Sequence, residues 1–172
     1  MPSPEEMGQY SRSFWKGYKL GFLAALIDGE GAICAHSSTN SRGHIELVIT
    51  NTDRGLLTKA QRLIGGHVRL REKRQPRGSR PCYNLWLSRM ADLLRLLRQL
   101  QPFLTTKRAQ CDAAIEYLTS RLESHSARLQ NCSRDNQGRI FGTPRNPLTE
   151  QELGAILRIR EANGRAAVAM TT

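Results

Sequence analysis

The chain has 172 residues and a mass of 19.4 kDa, enough for one domain with a buried core and an appended element. At 39% hydrophobic and 24% charged it is globular rather than disordered, and 26 Lys and Arg against 15 Asp and Glu give a formal charge of +11. That field favours a polyanion, nucleic acid first, over an acidic or small-molecule substrate, and no apolar run approaches the ~20 residues of a membrane span.

Only five of the 26 basic residues are lysine; the rest are arginine, which makes bidentate contacts to guanine and phosphate. Met1 to Gln9 carries Glu5 and Glu6 and no apolar core, which fits neither a signal peptide nor a transit peptide. Cys34, Cys82, Cys111 and Cys132 are scattered with no C-x-x-C pair, so they read as reduced thiols of an intracellular protein and not as zinc ligands.

Residues 1–13 are polar and read as an N-terminal arm. From Phe14 to Asp28 the apolar positions recur with a helical period, and Gly29 and Gly31 are expected to stop the helix. Ala32 to Ser38 reads as a strand, followed by a turn at Asn40–Gly43 and a second strand from His44 to Asn51, alternating on Ile45, Leu47 and Ile49. Thr52 or Asp53 can cap a helix from Arg54 to Ile64, which Gly65 and Gly66 end. A third strand, His67 to Arg74, and a fourth, Cys82 to Ser88, flank a turn holding Pro76, Gly78 and Pro81. Ser88 is placed to cap a helix from Arg89 to Gln101, which Pro102 ends, and another helix spans Thr106 to Glu123. Ser124 to Pro147 is rich in Asn, Gly, Ser and Arg and reads as a loop. Thr149 and Glu152 then form a capping box for a last helix ending at Asn163–Gly164.

This order predicts an α+β fold, with two hairpins in one antiparallel four-stranded sheet and helices on one face. The other face would carry His36, Ser38, His44, Glu46, His67, Arg69, Arg71, Lys73, Asn84 and Trp86. It is basic and aromatic, with six Arg or Lys and one Glu between His67 and Arg80, and suits a DNA-binding surface. Arg139 and Arg145 in the long loop read as phosphate contacts. His36, His44 and His67 read as base or phosphate contacts and not metal ligands, because no H-x-x-H or H-E-x-x-H spacing occurs.

Small residues recur at Gly17, Gly21, Ala25 and Asp28, with Ala24 beside them, a helical stripe over which another backbone can pass closely. A second copy of the same helix is the natural partner, since two-fold interfaces match like with like. The crossing would bring two copies of Glu30 together beyond two helix C-termini, where repulsion and helix dipoles favour a divalent cation with oxygen ligands, such as Mg²⁺. An ordinary C-cap with Glu30 in solvent is the competing reading.

The segment Leu23-Ala24-Ala25-Leu26-Ile27-Asp28-Gly29-Glu30-Gly31 resembles the signature of the LAGLIDADG homing endonucleases. A second segment, Leu100 to Gln110 with Pro102-Phe103-Leu104, is similar to single-motif homodimeric members of that family. The likeness covers Phe14 to Glu123; residues 124–172 match loosely, as an Arg-rich loop and extra helix. It implies an αββαββα core with a saddle-like sheet, a homodimer, and metal-dependent cleavage of both strands of a long pseudo-palindromic DNA site. It implies Mg²⁺ as cofactor, with Mn²⁺ substituting and Ca²⁺ binding without cleavage. Glu30 matches the metal-binding acid, joined by the Gly29 carbonyl. Asn51 stands where the family often places a Gln that positions water. Arg54 lies near a basic residue that supports the scissile phosphate, and Lys107 matches the active-site lysine. Ala25 replaces the common motif glycine, and Asp28 is expected to support the helix end rather than bind metal. Bacterial or archaeal cytoplasm or an organelle would suit such a protein. An RNA-binding intron maturase and a DNA-binding regulator with an inactive site remain alternatives on the same fold.

Overall fold

The computed structural model describes residues 12–37, 43–71, 80–130 and 147–164. Helix α1 (Arg12–Glu30) opens the fold and passes straight into strand β1 (Gly31–Ser37). The helix was expected to stop at Asp28, but Gly29 and Glu30 are its last residues and no loop follows. Gly31 permits this junction: a Cβ there would lie 2.6 Å from the Ile27 carbonyl oxygen, which is backbone and cannot move aside.

Strand β2 (Gly43–Asn51) pairs antiparallel with β1, and helix α2 (Arg54–Ile64) follows with the expected boundaries. Asp53 is its N-cap, accepting the Leu56 N–H at 3.1 Å. Strands β3 (His67–Leu70) and β4 (Tyr83–Leu87) form the second hairpin, both shorter than expected. Gly66 enters β3 at φ +87°, where a Cβ would meet the Trp86 carbonyl oxygen. β4 pairs with β2, so the sheet order is β1-β2-β4-β3 and antiparallel throughout.

Helix α3 (Met90–Leu100) starts two residues after Ser88; Arg89 occupies the N-cap without a side-chain cap bond, so the expected Ser88 cap is not made. Gln101–Phe103, with Pro102, forms one 3-10 turn. Helix α4 (Arg108–Gln130) runs seven residues beyond the expected end at Glu123, into the stretch read as loop. That stretch holds neither Gly nor Pro before Gln130, so nothing in the backbone chemistry stops the helix there. Helix α5 (Glu150–Ala162) begins with both hydrogen bonds of the Thr149–Glu152 capping box.

The core lies between one face of the sheet and the helices. Leu23 and Ile27 of α1, Ile33, Ile45, Leu47, Ile49 and Leu85 of the sheet, Leu57 of α2, Leu93 and Leu97 of α3, and Tyr117 and Leu118 of α4 are buried together. Each fully buried Leu or Ile contributes roughly 1.5–3 kcal/mol. Ala155, Ile156 and Ile159 of α5 belong to the same cluster, so the C-terminal helix is part of the core rather than an appendage. It also covers the edge of β1: Asn163 Nδ2 donates to the Ile33 carbonyl at 2.7 Å and Arg160 Nε to the Ala35 carbonyl at 3.4 Å. Glu152 is fully buried, accepts from Thr149 N–H and Ser120 Oγ, and lies 3.4 Å from Arg121. Cys34, Cys82 and Cys111 form no disulfide, and burial first, then the Asp112 charge, pushes the Cys111 thiol up to about 12. No helix among the described residues is long and apolar enough to cross a membrane.

Candidate active site and nucleic-acid interface

The strand register gathers one end of the sheet. Gly31 pairs with Ile49, so Glu30, one residue earlier, stands level with the last residues of β2. Asn51 ends β2 opposite Tyr83, and the Arg54 guanidinium lies 5.9 Å from the centre of the Tyr83 ring. Lys107 arrives at this end through Asp28. The Asp28 carboxylate accepts the Thr105 N–H at 2.7 Å, the Lys107 N–H at 2.9 Å and the Thr106 hydroxyl at 3.0 Å. It thereby clamps the last turn of α1 to the segment that leads into α4. Partial burial raises the Asp28 pKa, but the bonds from Thr105, Lys107 and Thr106 together outweigh it and hold the carboxyl below its usual value. Asp28 supports structure, as its place in the sequence suggested.

Glu30 and Gly29 are exposed, and among the described residues no hydrogen bond or ion pair ties down the Glu30 carboxylate. The C-terminal carbonyls of α1 add negative partial charge at this point. These are hard oxygen donors of the kind Mg²⁺ takes. Among the described residues the chain offers a single uncommitted carboxylate here, since that of Asp28 is spent on Thr105, Thr106 and Lys107. The Asn51 Oδ1 accepts the Asp53 N–H at 2.8 Å and is committed to the entrance of α2; its amide N–H groups are what it has left to offer a water.

The outer face of the sheet carries Ala32, Cys34 and His36 of β1, His44, Glu46, Val48 and Thr50 of β2, Asn84 and Trp86 of β4, and His67 and Arg69 of β3, because paired residues share a face. His67, Arg69 and Arg71 are exposed and Trp86 is half-buried. Asn84 is only 9% exposed, and its Oδ1 accepts the Thr50 hydroxyl at 2.9 Å, so it joins strands β2 and β4 across this face. Ser38, Lys73, Arg139 and Arg145 lie outside the described residues. The structure also joins His36, His44 and Glu46 into one cluster. Sequence spacing had not shown this, because the grouping depends on cross-strand pairing.

On α1 the expected contact stripe divides. Gly17, Gly21 and Ala25 are exposed, whereas Ala24 is 3% exposed and belongs to the core, because it lies on the side of the helix that meets the sheet. A Cβ at Gly17, Gly21 or Gly29 would meet nothing within 4 Å. Glycine inside a helix costs about 1 kcal/mol relative to alanine, and among the described residues nothing packs against these positions to account for it.

A helix that ends in an exposed acid and runs directly into an open antiparallel four-stranded sheet, with the helices on the other face, defines an α+β protein of αββαββα order. Residues 17–101 match the LAGLIDADG-like domain, so the chain carries a LAGLIDADG-like domain from α1 to the end of α3. No curated protein matches it by sequence. Its structure is similar to the homing endonuclease I-CvuI in complex with the I-CreI target in the presence of Mg, with TM-score 0.55 and 20% identity, covering 85% of this chain and 97% of that one. The homing endonuclease I-TnaI has TM-score 0.55 and 17% identity, covering 88% and 90%. I-SmaMI, bound to uncleaved DNA in the presence of calcium ions, has TM-score 0.56 and 13% identity, covering 88% of this chain and 47% of that one. At these identities the likeness is one of fold.

Proposed function

We propose that the protein is a homodimeric homing endonuclease that cuts both strands of a long pseudo-palindromic DNA site with a divalent metal. What supports this reading is that the strand register, the Arg54–Tyr83 contact and the Asp28 bonds put Glu30, Asn51, Arg54 and the Lys107 backbone at the same end of the sheet. Glu30 and the Gly29 carbonyl would hold the metal, which when bound activates water and stabilises the leaving oxygen. Lys107, fixed through Asp28, supplies a cation for charge developing on the phosphate, and Arg54, braced on Tyr83, supplies a second. Asn51 orients the water through its amide N–H groups. Mg²⁺ is the proposed ion, with Mn²⁺ in its place and Ca²⁺ binding without turnover.

The dimer reading is supported by the exposed Gly17, Gly21 and Ala25 stripe, whose helix-weakening glycines have no neighbour within 4 Å of a Cβ among the described residues. The chain also spans nearly all of I-CvuI but about half of I-SmaMI, so the fold that it forms once takes up half of that longer chain. Two copies packed along α1 would bring both Glu30 carboxylates to the two-fold axis and align their sheets along one duplex. The nine residues of β2 extend over ~30 Å, enough for about 9 base pairs per half-site.

The test is cleavage and gel-shift on one target, the rejoined flanks of the intervening sequence that carries the gene, with Mg²⁺. The wild type should cut both strands. Glu30→Gln should keep binding and lose cleavage by several orders of magnitude. Equal cutting by Glu30→Gln removes Glu30 from the site. Tight binding of the intron RNA with no DNA cleavage by the wild type establishes a maturase instead.

A further inference from the structure

A second set of donor atoms lies on the outer face at the far end of the β1–β2 hairpin. His36 pairs with His44 across the strands, and Glu46 follows two residues along the same face. The two imidazoles stack with ring centres 4.8 Å apart and planes 17° from parallel. Both turn Nε2 toward the same carboxylate: His36 Nε2 is 3.1 Å from Glu46 Oε1 and His44 Nε2 is 3.5 Å from Glu46 Oε2. One ligand atom from each of the three lies within 4.8 Å of the others. The pair is five residues along β1 from Gly31, about 16 Å from the junction with α1 at 3.3 Å per residue, so it is separate from the Glu30 end.

We propose that His36, His44 and Glu46 form a binding site for a borderline transition-metal ion, Zn²⁺ foremost. In a tetrahedral zinc site with bonds of 2.0–2.1 Å, neighbouring donor atoms are ~3.3 Å apart; here each Nε2 lies 3.1 or 3.5 Å from its own oxygen of the one carboxylate, so the three donors need to close in by an ångström or so to share an ion. Two imidazoles and one carboxylate are a zinc-type donor set, whereas Mg²⁺ and Ca²⁺ prefer oxygen throughout. The ladder fixes the Cα positions of all three residues, and to share one ion the two imidazoles would turn out of their stack about χ2 so that both Nε2 lone pairs point at it. Three protein ligands leave a coordination position open. The histidine side chains are 45% and 55% exposed, so a water or phosphate oxygen can reach it.

Glu46 is the one acid among the described residues of this face, beside His44, His67 and Arg69. Without an ion, a carboxylate there opposes a polyanion; with one, the cluster becomes positive. That effect on DNA rests on the endonuclease reading, whereas the metal site itself does not.

The experiment is a titration of the metal-stripped full chain with Co²⁺, without DNA, followed by displacement with Zn²⁺. The expected result is a visible d–d absorption at one equivalent per chain, removed by Zn²⁺ and unaffected by millimolar Mg²⁺. His44→Gln and Glu46→Gln, checked for unchanged melting without metal, should each weaken Zn²⁺ binding more than about 10-fold, while Glu30→Gln should leave it unchanged. No d–d band, or Zn²⁺ affinity unchanged in His44→Gln, overturns the site. If both assays succeed but Zn²⁺ leaves DNA affinity unchanged, the site stands and its proposed contact with DNA fails. A chain that binds Zn²⁺ but neither binds nor cuts DNA keeps the site and refutes the endonuclease reading.

Discussion

Replacing Asp28 with Asn keeps the size of the side chain but removes its charge and one of its two acceptor oxygens. The carboxylate holds three donors, Thr105 N–H, Lys107 N–H and Thr106 Oγ, at 2.7–3.0 Å. Hydrogen bonds to a charged group are worth ~1.5–3 kcal/mol each when buried. Partial exposure and solvent screening reduce that, and Asn retains one acceptor, so a net loss of ~2 kcal/mol is expected. For a domain of this size that lowers Tm by ~4–8 °C at pH 7 and fixed chain concentration. The pH dependence has a definite sign. The folded pKa of Asp28 is depressed, so its stabilisation is complete above the unfolded value, near 3.9, and is lost as pH falls through the lower folded value. The gap in Tm between wild type and Asp28→Asn should therefore close in acid. Cleavage should fall more than DNA binding, since Lys107 loses its anchor. Melting within 1 °C of wild type at pH 7, or an equal gap at pH 7 and at pH 2.5, would refute the clamp.

Gly21→Leu should leave the fold intact, because open space surrounds the Cα, but convert the proposed dimer to monomer and abolish the proposed double-strand cutting; light scattering and circular dichroism separate the two effects. Glu152→Gln removes the buried charge that faces Arg121 and weakens the capping box, so a loss of ~3 kcal/mol in denaturant melts is expected, with little change in DNA affinity per folded molecule. Arg69→Ala should relax sequence preference at one or two base pairs, at ~1–3 kcal/mol each; uniform weakening across target variants would mark it as a phosphate contact.

Where local chemistry decides, the sequence was sufficient. Asp53 before an amphipathic run set the start of α2, and the Thr149–Glu152 spacing set the start of α5. The alternation of Ile45, Leu47 and Ile49 fixed which face of β2 is buried. Other features depended on distant partners. Glu152 reads locally as a cap, but its burial follows from Arg121 and Ser120 on α4. Asn84 has the periodicity of an outward residue, yet Thr50 on the neighbouring strand engages it. Ala24 and Ala25 are equivalent in a motif, while the 100° between them on a helix puts one in the core and the other in solvent. The Glu30 end was legible because its residues sit at element termini. The His36, His44 and Glu46 grouping was not, because it follows from a hairpin register that no spacing rule encodes.

The direct passage from α1 to β1 has a mechanical consequence. Glu30 and Gly31 are adjacent, so no linker separates the helix from the strand and the direction of β1 is tied to that of α1. In the proposed dimer the angle at which two copies of α1 cross would therefore set the spacing between the two sheets. The gap between half-sites on the duplex would be built into a single helix face. Side chains along the strands could change to read new bases, but a target whose halves slid apart by one base pair would require repacking at Gly17, Gly21 and Ala25. Such a protein can drift in what it reads far more freely than in how widely it straddles the cut.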